Sequence, residues 1–238
     1  MNEIDAGIFD QAKFFGETTS TKIHLLRKLY LLFFIQFACA AENLHISYLY
    51  DDDYVPWIFQ HEEVFVVTAV GQIVLLFCVI FFRDSLRTSP INWIIYVIWT
   101  TLLGYNMGYL GVWYDDRGAI LMICATVCLI SLALLVYALT TKYDLTLTGG
   151  TLFILASTML SYEIFIISTD LPFGEMVSIA VAGIIFGYYY IYTTQNIVIR
   201  QTFNIELEDP VIASILVHRE IILFPVRLFQ FVRKALRE

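Results

Sequence analysis

Charge is scarce in this chain. Asp, Glu, Lys and Arg make up 15% of its 238 residues, hydrophobic side chains make up 59%, and the mean hydropathy is +0.72. Water-soluble domains are about a quarter charged, so the composition excludes a soluble enzyme domain and makes lipid the main solvent. Cysteine is as sparse: Cys39, Cys78, Cys124 and Cys128 all fall inside apolar stretches, which leaves no loop cysteine for a disulfide. Cys124 and Cys128 share a helix face but lack His or carboxylate neighbours at metal-ligand spacing, so they read as small packing residues. There is no Asn-x-Ser/Thr sequon, and Met1 to Ile23 hold no apolar core of signal-peptide length, so the N-terminal segment is expected to be retained. Nucleophile–base pairing, His-Glu-x-x-His and Walker patterns are all missing, and with them any expectation of catalytic residues or a cofactor. Beyond Lys28 at the opening of the first apolar run, no lysine lies within these runs, which disfavours a retinal Schiff base. No nucleic-acid partner is expected.

What the chain does have is long apolar runs. They cover about Leu25 to Ala41, Val64 to Phe82, Ile91 to Trp113, Ala119 to Leu139, Leu152 to Ser168 and Met176 to Ile199. Runs of this length read as bilayer-spanning helices. A seventh starts after Pro210, breaks at His218-Arg219-Glu220 and resumes towards Val232. Charge at membrane depth costs roughly 2.5–3.5 kcal/mol per residue at mid-bilayer on insertion scales, so such residues persist only when paired, wet or functional. The expected fold is an all-α polytopic membrane protein with six to seven transmembrane helices in one bundle. Residues 1–23 form a tail, 24–232 the bundle and 233–238 a basic C-terminal tail. Proline suits the helix starts at Pro90 and Pro210, where a missing N–H would have had no partner anyway.

Basic residues sort the loops. Lys13, Lys22, Arg27 and Lys28, then Arg83 and Arg87, then Lys142, then Arg200 fall on one side, expected to be the cytosol. Asp51, Asp52, Asp53, Glu62, Glu63, Asp115, Asp116, Asp170 and Glu175 fall on the other, against a single Arg117. A cytosolic N-terminus argues against a G-protein-coupled receptor. The basic tail (Arg227, Arg233, Lys234, Arg237) would land on the acidic side if the seventh segment crossed. That segment is therefore either re-entrant, or central and shielded by its six partners. Gly104-x-x-x-Gly108 and Gly183-x-x-x-Gly187 form the close-approach pattern of packed membrane helices, read here as packing within the chain.

The opening helix, Arg27-Lys28-Leu29-Tyr30-Leu31-Leu32-Phe33-Phe34-Ile35-Gln36, resembles that of the Bax-inhibitor-motif (lifeguard) family. Gly104-Tyr105-Asn106-Met107-Gly108 is similar to that family's third helix. Thr141-Lys142-Tyr143-Asp144-Leu145-Thr146 resembles its Thr-Lys-x-Asp-Phe-Thr loop, and Thr193-Thr194-Gln195 stands where it has Asp-Thr-Gln. Glu208-Asp209-Pro210 through Glu220 resembles its acidic loop and last helix. The resemblance implies a cytoprotective protein of the endoplasmic reticulum or Golgi membrane. Such a protein damps cell death and lowers stored Ca²⁺ through a pH-sensitive leak, with Ca²⁺ as cargo and other membrane proteins as partners. In that family an Asp on the sixth helix faces an Asp on the seventh; the two share a proton in low dielectric and so form a pH gate. Here those positions are Thr193 and Glu220, so the two-carboxylate gate is absent and any leak is expected to be weak, constitutive or lost.

The resulting candidates for an ion pathway or gate are Glu220, Thr193, Gln195, Arg219 and His218. Glu220 could instead be a structural ion pair, and His218 an interfacial side chain reaching for water. Lys142 and Asp144 form the motif loop, where Asp144 could cap the fifth helix. Asp51, Asp52 and Asp53 could gather divalent cations at a lumenal mouth, although a solvated loop is the simpler reading. Glu163 sits in the fifth run, and the Trp and Tyr residues at Trp93, Trp99, Trp113 and Tyr188-Tyr189-Tyr190 read as interface anchors and packing.

Overall fold

Glycine and proline are absent from Thr19 to Leu49, and the chain there runs as one unbroken 31-residue helix. The computed structural model describes residues 19–114, 117–141, 147–199, 209–219 and 221. Its helices are α1 (Thr19–Leu49), α2 (Asp51–Gln60), α3 (Glu62–Phe81), α4 (Arg83–Leu86), α5 (Ile91–Trp113), α6 (Arg117–Thr140), α7 (Leu147–Ser168), α8 (Phe173–Ile199) and α9 (Pro210–Arg219). No strand occurs among the described residues.

Stretches within α1, α3, α6, α7 and α8 are long and apolar enough to cross a bilayer. Helix α5 matches them in length at 23 residues, about 34 Å at the α-helical rise. Its Asn, Thr, Tyr and Trp content sets it apart in hydropathy, and Thr100 and Asn106 on it are buried. Helix α1 is the hub, packed on α5, α6 and α8, while α3 leans on α5.

Two arginines mark opposite ends of the bundle. Arg27 on α1 donates to the Ala138 carbonyl in the last turn of α6 at 2.7 Å. Arg117, opening α6, donates to the Ser47 carbonyl near the end of α1 at 2.9 Å. Each cation meets carbonyls that have no partner within their own helix, at the negative end of the helix dipole. Helices α1 and α6 therefore run antiparallel and are pinned at both ends.

The link between the first two runs departs from expectation. In place of a solvated loop the chain makes the end of α1 and then α2, with Asp51, Asp52 and Asp53 in the first turn of α2. Negative side chains are favourable there because they meet the positive end of the helix dipole. The apolar side of α2 closes over α5: Ile58 is buried with Tyr109 and Val112.

The small-residue pattern works within the chain. A Cβ on Gly183 would lie 2.7 Å from Thr126 Cγ2 on α6, and one on Gly187 would lie 2.6 Å from Ile154 Cγ2 on α7. A Cβ on Gly104 would meet Asn43 Nδ2 of α1 at 2.8 Å. Gly71 on α3, by contrast, has nothing within 4 Å of where its Cβ would stand. Gly187→Leu is therefore expected to cost about 1–3 kcal/mol through overpacking. Gly71→Leu, whose side chain meets open space, should stay within about 0.5 kcal/mol, as substitutions away from packed features usually do. Thermal unfolding of the detergent-solubilised variants, followed by loss of the monodisperse chromatographic peak, tests the contrast. Equal losses would show that α8 is not packed this closely.

Candidate functional site

Helix α9 begins where sequence chemistry says a helix should. The Asp209 carbonyl accepts from Ala213 N at 3.1 Å, and Pro210 occupies the first turn. The Asp209 carboxylate lies 2.8 Å from Arg87 Nε, with the two side chains only 12% and 17% exposed. The contact is a close ion pair rather than an aligned hydrogen bond. It fixes the start of α9 to the segment between α4 and α5.

From there α9 runs into the middle of the bundle. Val211 to Val217 are all buried, so no face of the helix is left for solvent. Such a helix needs neighbours all round. Tyr96 donates its hydroxyl to the Leu32 carbonyl at 2.7 Å, beside Val211. Ser214 gives its proton to the Val211 carbonyl at 2.7 Å, which leaves its oxygen to accept from Gln36 Nε2 over a long 3.4 Å.

Two turns beyond Val211 on α9 stands His218, 7% exposed. Its ring centre lies 4.9 Å from Phe33, 5.1 Å from Trp99 and 6.0 Å from Phe37, the last parallel to it. His218 is therefore not an interfacial side chain reaching for water. The reason is position: α9 carries it inward beside three rings that exclude water. Trp99, buried with it, is core, whereas Trp93 and Trp113 are exposed near the two ends of α5.

Helix α8 closes the other side. Tyr190 stacks on Phe33 at 4.6 Å and meets Tyr30 edge-on at 5.4 Å. Thr194 is bonded to its own helix through the Tyr190 carbonyl at 2.9 Å, so the Tyr30 hydroxyl supplies the proton for their 3.0 Å contact. Thr193 is 2% exposed, and its hydroxyl has no hydrogen-bond partner among the described residues. Gln195 is half-buried, and Arg219 is partly buried.

The remaining candidates separate from this cluster. Glu220, Lys142 and Asp144 lie outside the described residues. Asp52 and Asp53 are exposed on α2, Asp51 contributes the first residue of that helix, and Glu163 is exposed on α7. Among the described residues no three His, Cys, Asp or Glu side chains converge as metal ligands.

The chain matches the family model described as Inhibitor of apoptosis-promoting Bax1 over residues 22–235, nearly its whole length. The chain belongs to the Bax-inhibitor family. No curated protein and no solved structure gives a significant match. Family membership and the apolar helices make it a multi-pass membrane protein in contact with the lipid bilayer.

One polar assembly of this Bax-inhibitor-family chain was not among the sequence candidates. Thr68 on α3 donates to Asn106 Oδ1 on α5 at 2.8 Å, and Asn106 Nδ2 donates to Gln72 Oε1 at 2.8 Å. The signal for it was there: Gln36, Gln72 and Asn106 are amides set deep in apolar runs, where an unpaired amide is costly.

The Arg87–Asp209 pair yields a double-mutant test. Removing one partner of a buried pair strands the other charge, so Asp209→Leu is expected to destabilise by about 3 kcal/mol, the lower end for such pairs. The double change Arg87→Met with Asp209→Leu should cost less than the sum of the single changes. Thermal stability of the four proteins checks this, and strict additivity would show that the pair does not hold α9.

Proposed function

We propose that this protein regulates cell death and Ca²⁺ homeostasis in an intracellular membrane, endoplasmic reticulum or Golgi, with its N-terminus in the cytosol. Its Ca²⁺ leak is weak and lacks a two-carboxylate pH gate. Family membership supports the lifeguard type of activity. The observation that carries the altered gating is Thr193: a buried hydroxyl, not a carboxylate, occupies the α8 position where the family has Asp. A hydroxyl can donate to a facing acid but cannot repel its charge, so no shared proton arises.

A second reading is a non-conducting regulator that inhibits apoptosis by binding partner membrane proteins, with no enzymatic activity. The packed axis favours it: Phe33, Tyr190, Trp99 and His218 fill the space between α1, α5, α8 and α9 with rings. Crossing such a plug would strip a cation of its water at high cost.

Ca²⁺ efflux from proteoliposomes separates the two. The leak reading expects a slow efflux above protein-free vesicles that falls in Glu220→Gln. Thr193→Asp should raise it severalfold and make it titrate in two steps. Efflux in the unaltered protein and in Glu220→Gln equal to protein-free vesicles would leave the non-conducting reading. A fast efflux in the unaltered protein that titrates in two steps would overturn the assignment of Thr193.

A further inference from the structure

A cavity of about 390 Å³ opens between α3 and the wall formed by α5, α8 and α9. Its size falls within the range of small-molecule sites. Side chains such as Phe37, Leu76, Leu103 and Phe186 make its walls almost wholly apolar. Helix α3 packs on α5 and leaves Ile73, at the rim of the cavity, 54% exposed on the lipid side. A molecule entering here comes from the hydrocarbon of the bilayer.

Two buried polar atoms of residues that line it have no hydrogen-bond partner among the described residues: His218 Nε2 and Trp99 Nε1. The chemistry of each is fixed. His218 Nδ1 lies 3.2 Å from the Ser214 carbonyl, which can only accept, so Nδ1 carries the proton. In the neutral ring Nε2 is then an acceptor. The indole Nε1–H is a donor only. The amides in the same lining, Gln72 and Asn106, already bond each other. The vacant requirement is for one donor and one acceptor, between rings whose centres are 5.1 Å apart. A hydroxyl supplies both.

We infer that this cavity binds an uncharged lipid bearing a hydroxyl group, such as a long-chain alcohol or a sterol, with the hydroxyl donating to His218 and accepting from Trp99. Apolar walls take the hydrocarbon, and a carboxylate or phosphate would find no cation among the described lining residues. The inference is independent of whether the protein conducts Ca²⁺.

Photolabelling of the full chain in nanodiscs tests it. The probes are a diazirine-bearing hexadecanol, a diazirine-bearing sterol and the methyl ether of each, with adducts mapped by peptide mass spectrometry. At least one alcohol should label the segments around residues 65–76 and 99–110, and its ether, which cannot donate, at least fivefold less. Which alcohol labels identifies the source. His218→Phe, which keeps a ring in the aromatic box, should reduce alcohol labelling to the ether level. Ala69→Trp, which fills the cavity from α3, should remove both. The comparison of alcohol with ether needs no variant and so does not depend on any variant folding. Equal labelling by alcohol and ether, labelling outside these segments, no labelling at all, or full labelling of His218→Phe would overturn the inference.

Discussion

A helix that carries polar side chains to membrane depth must be enclosed by protein, because hydrocarbon offers those groups no partner, and α9 carries Ser214 and His218 there. That constraint organises this bundle. The described part of helix α9 is ten residues long, about 15 Å. Its start is tied by an ion pair to Arg87, and its His218 packs against the rings of Phe33, Phe37 and Trp99. Of these rings, Phe33 and Phe37 belong to α1 and Trp99 to α5, and Gln36 of α1 reaches its Ser214.

The hydrogen bonds between helices are few and individually modest. In membranes such bonds average about 0.6 kcal/mol in double-mutant cycles. Bulk cohesion therefore comes from packing, above all where Gly183 and Gly187 let α8 approach α6 and α7. The polar contacts choose register instead. Asn106 meets Thr68 and Gln72 together at only one height of α3 against α5. Arg27 and Arg117 likewise fix α1 against α6 at both ends.

Much of this was legible before any coordinates. The expected third run, Ile91 to Trp113, coincides with α5, and the other five of the first six runs lie within helices or differ from them by a few residues at their ends. Hydropathy finds spans because a bilayer demands uninterrupted apolar helix. The stretch from Glu42 to Gln60 was misjudged as loop because polarity was taken to mean absence of helix; α2 combines an acidic first turn with an inner side that buries Ile58, which composition alone does not resolve. His218 was misplaced for a related reason: a histidine beside two charged residues looks interfacial until the helix that carries it is seen to run inward.

The chain's residues alone determined the class of protein, the family and the positions of its long apolar helices, since each follows from local composition and short motifs. Only the tertiary structure decided that α9 lies at the centre, that Arg87 meets Asp209 across 122 residues of chain, and that His218 and Trp99 share one cavity. Those facts depend on which helix faces come together in three dimensions. A one-dimensional hydropathy pattern shows how apolar a helix is, but not which neighbour covers it.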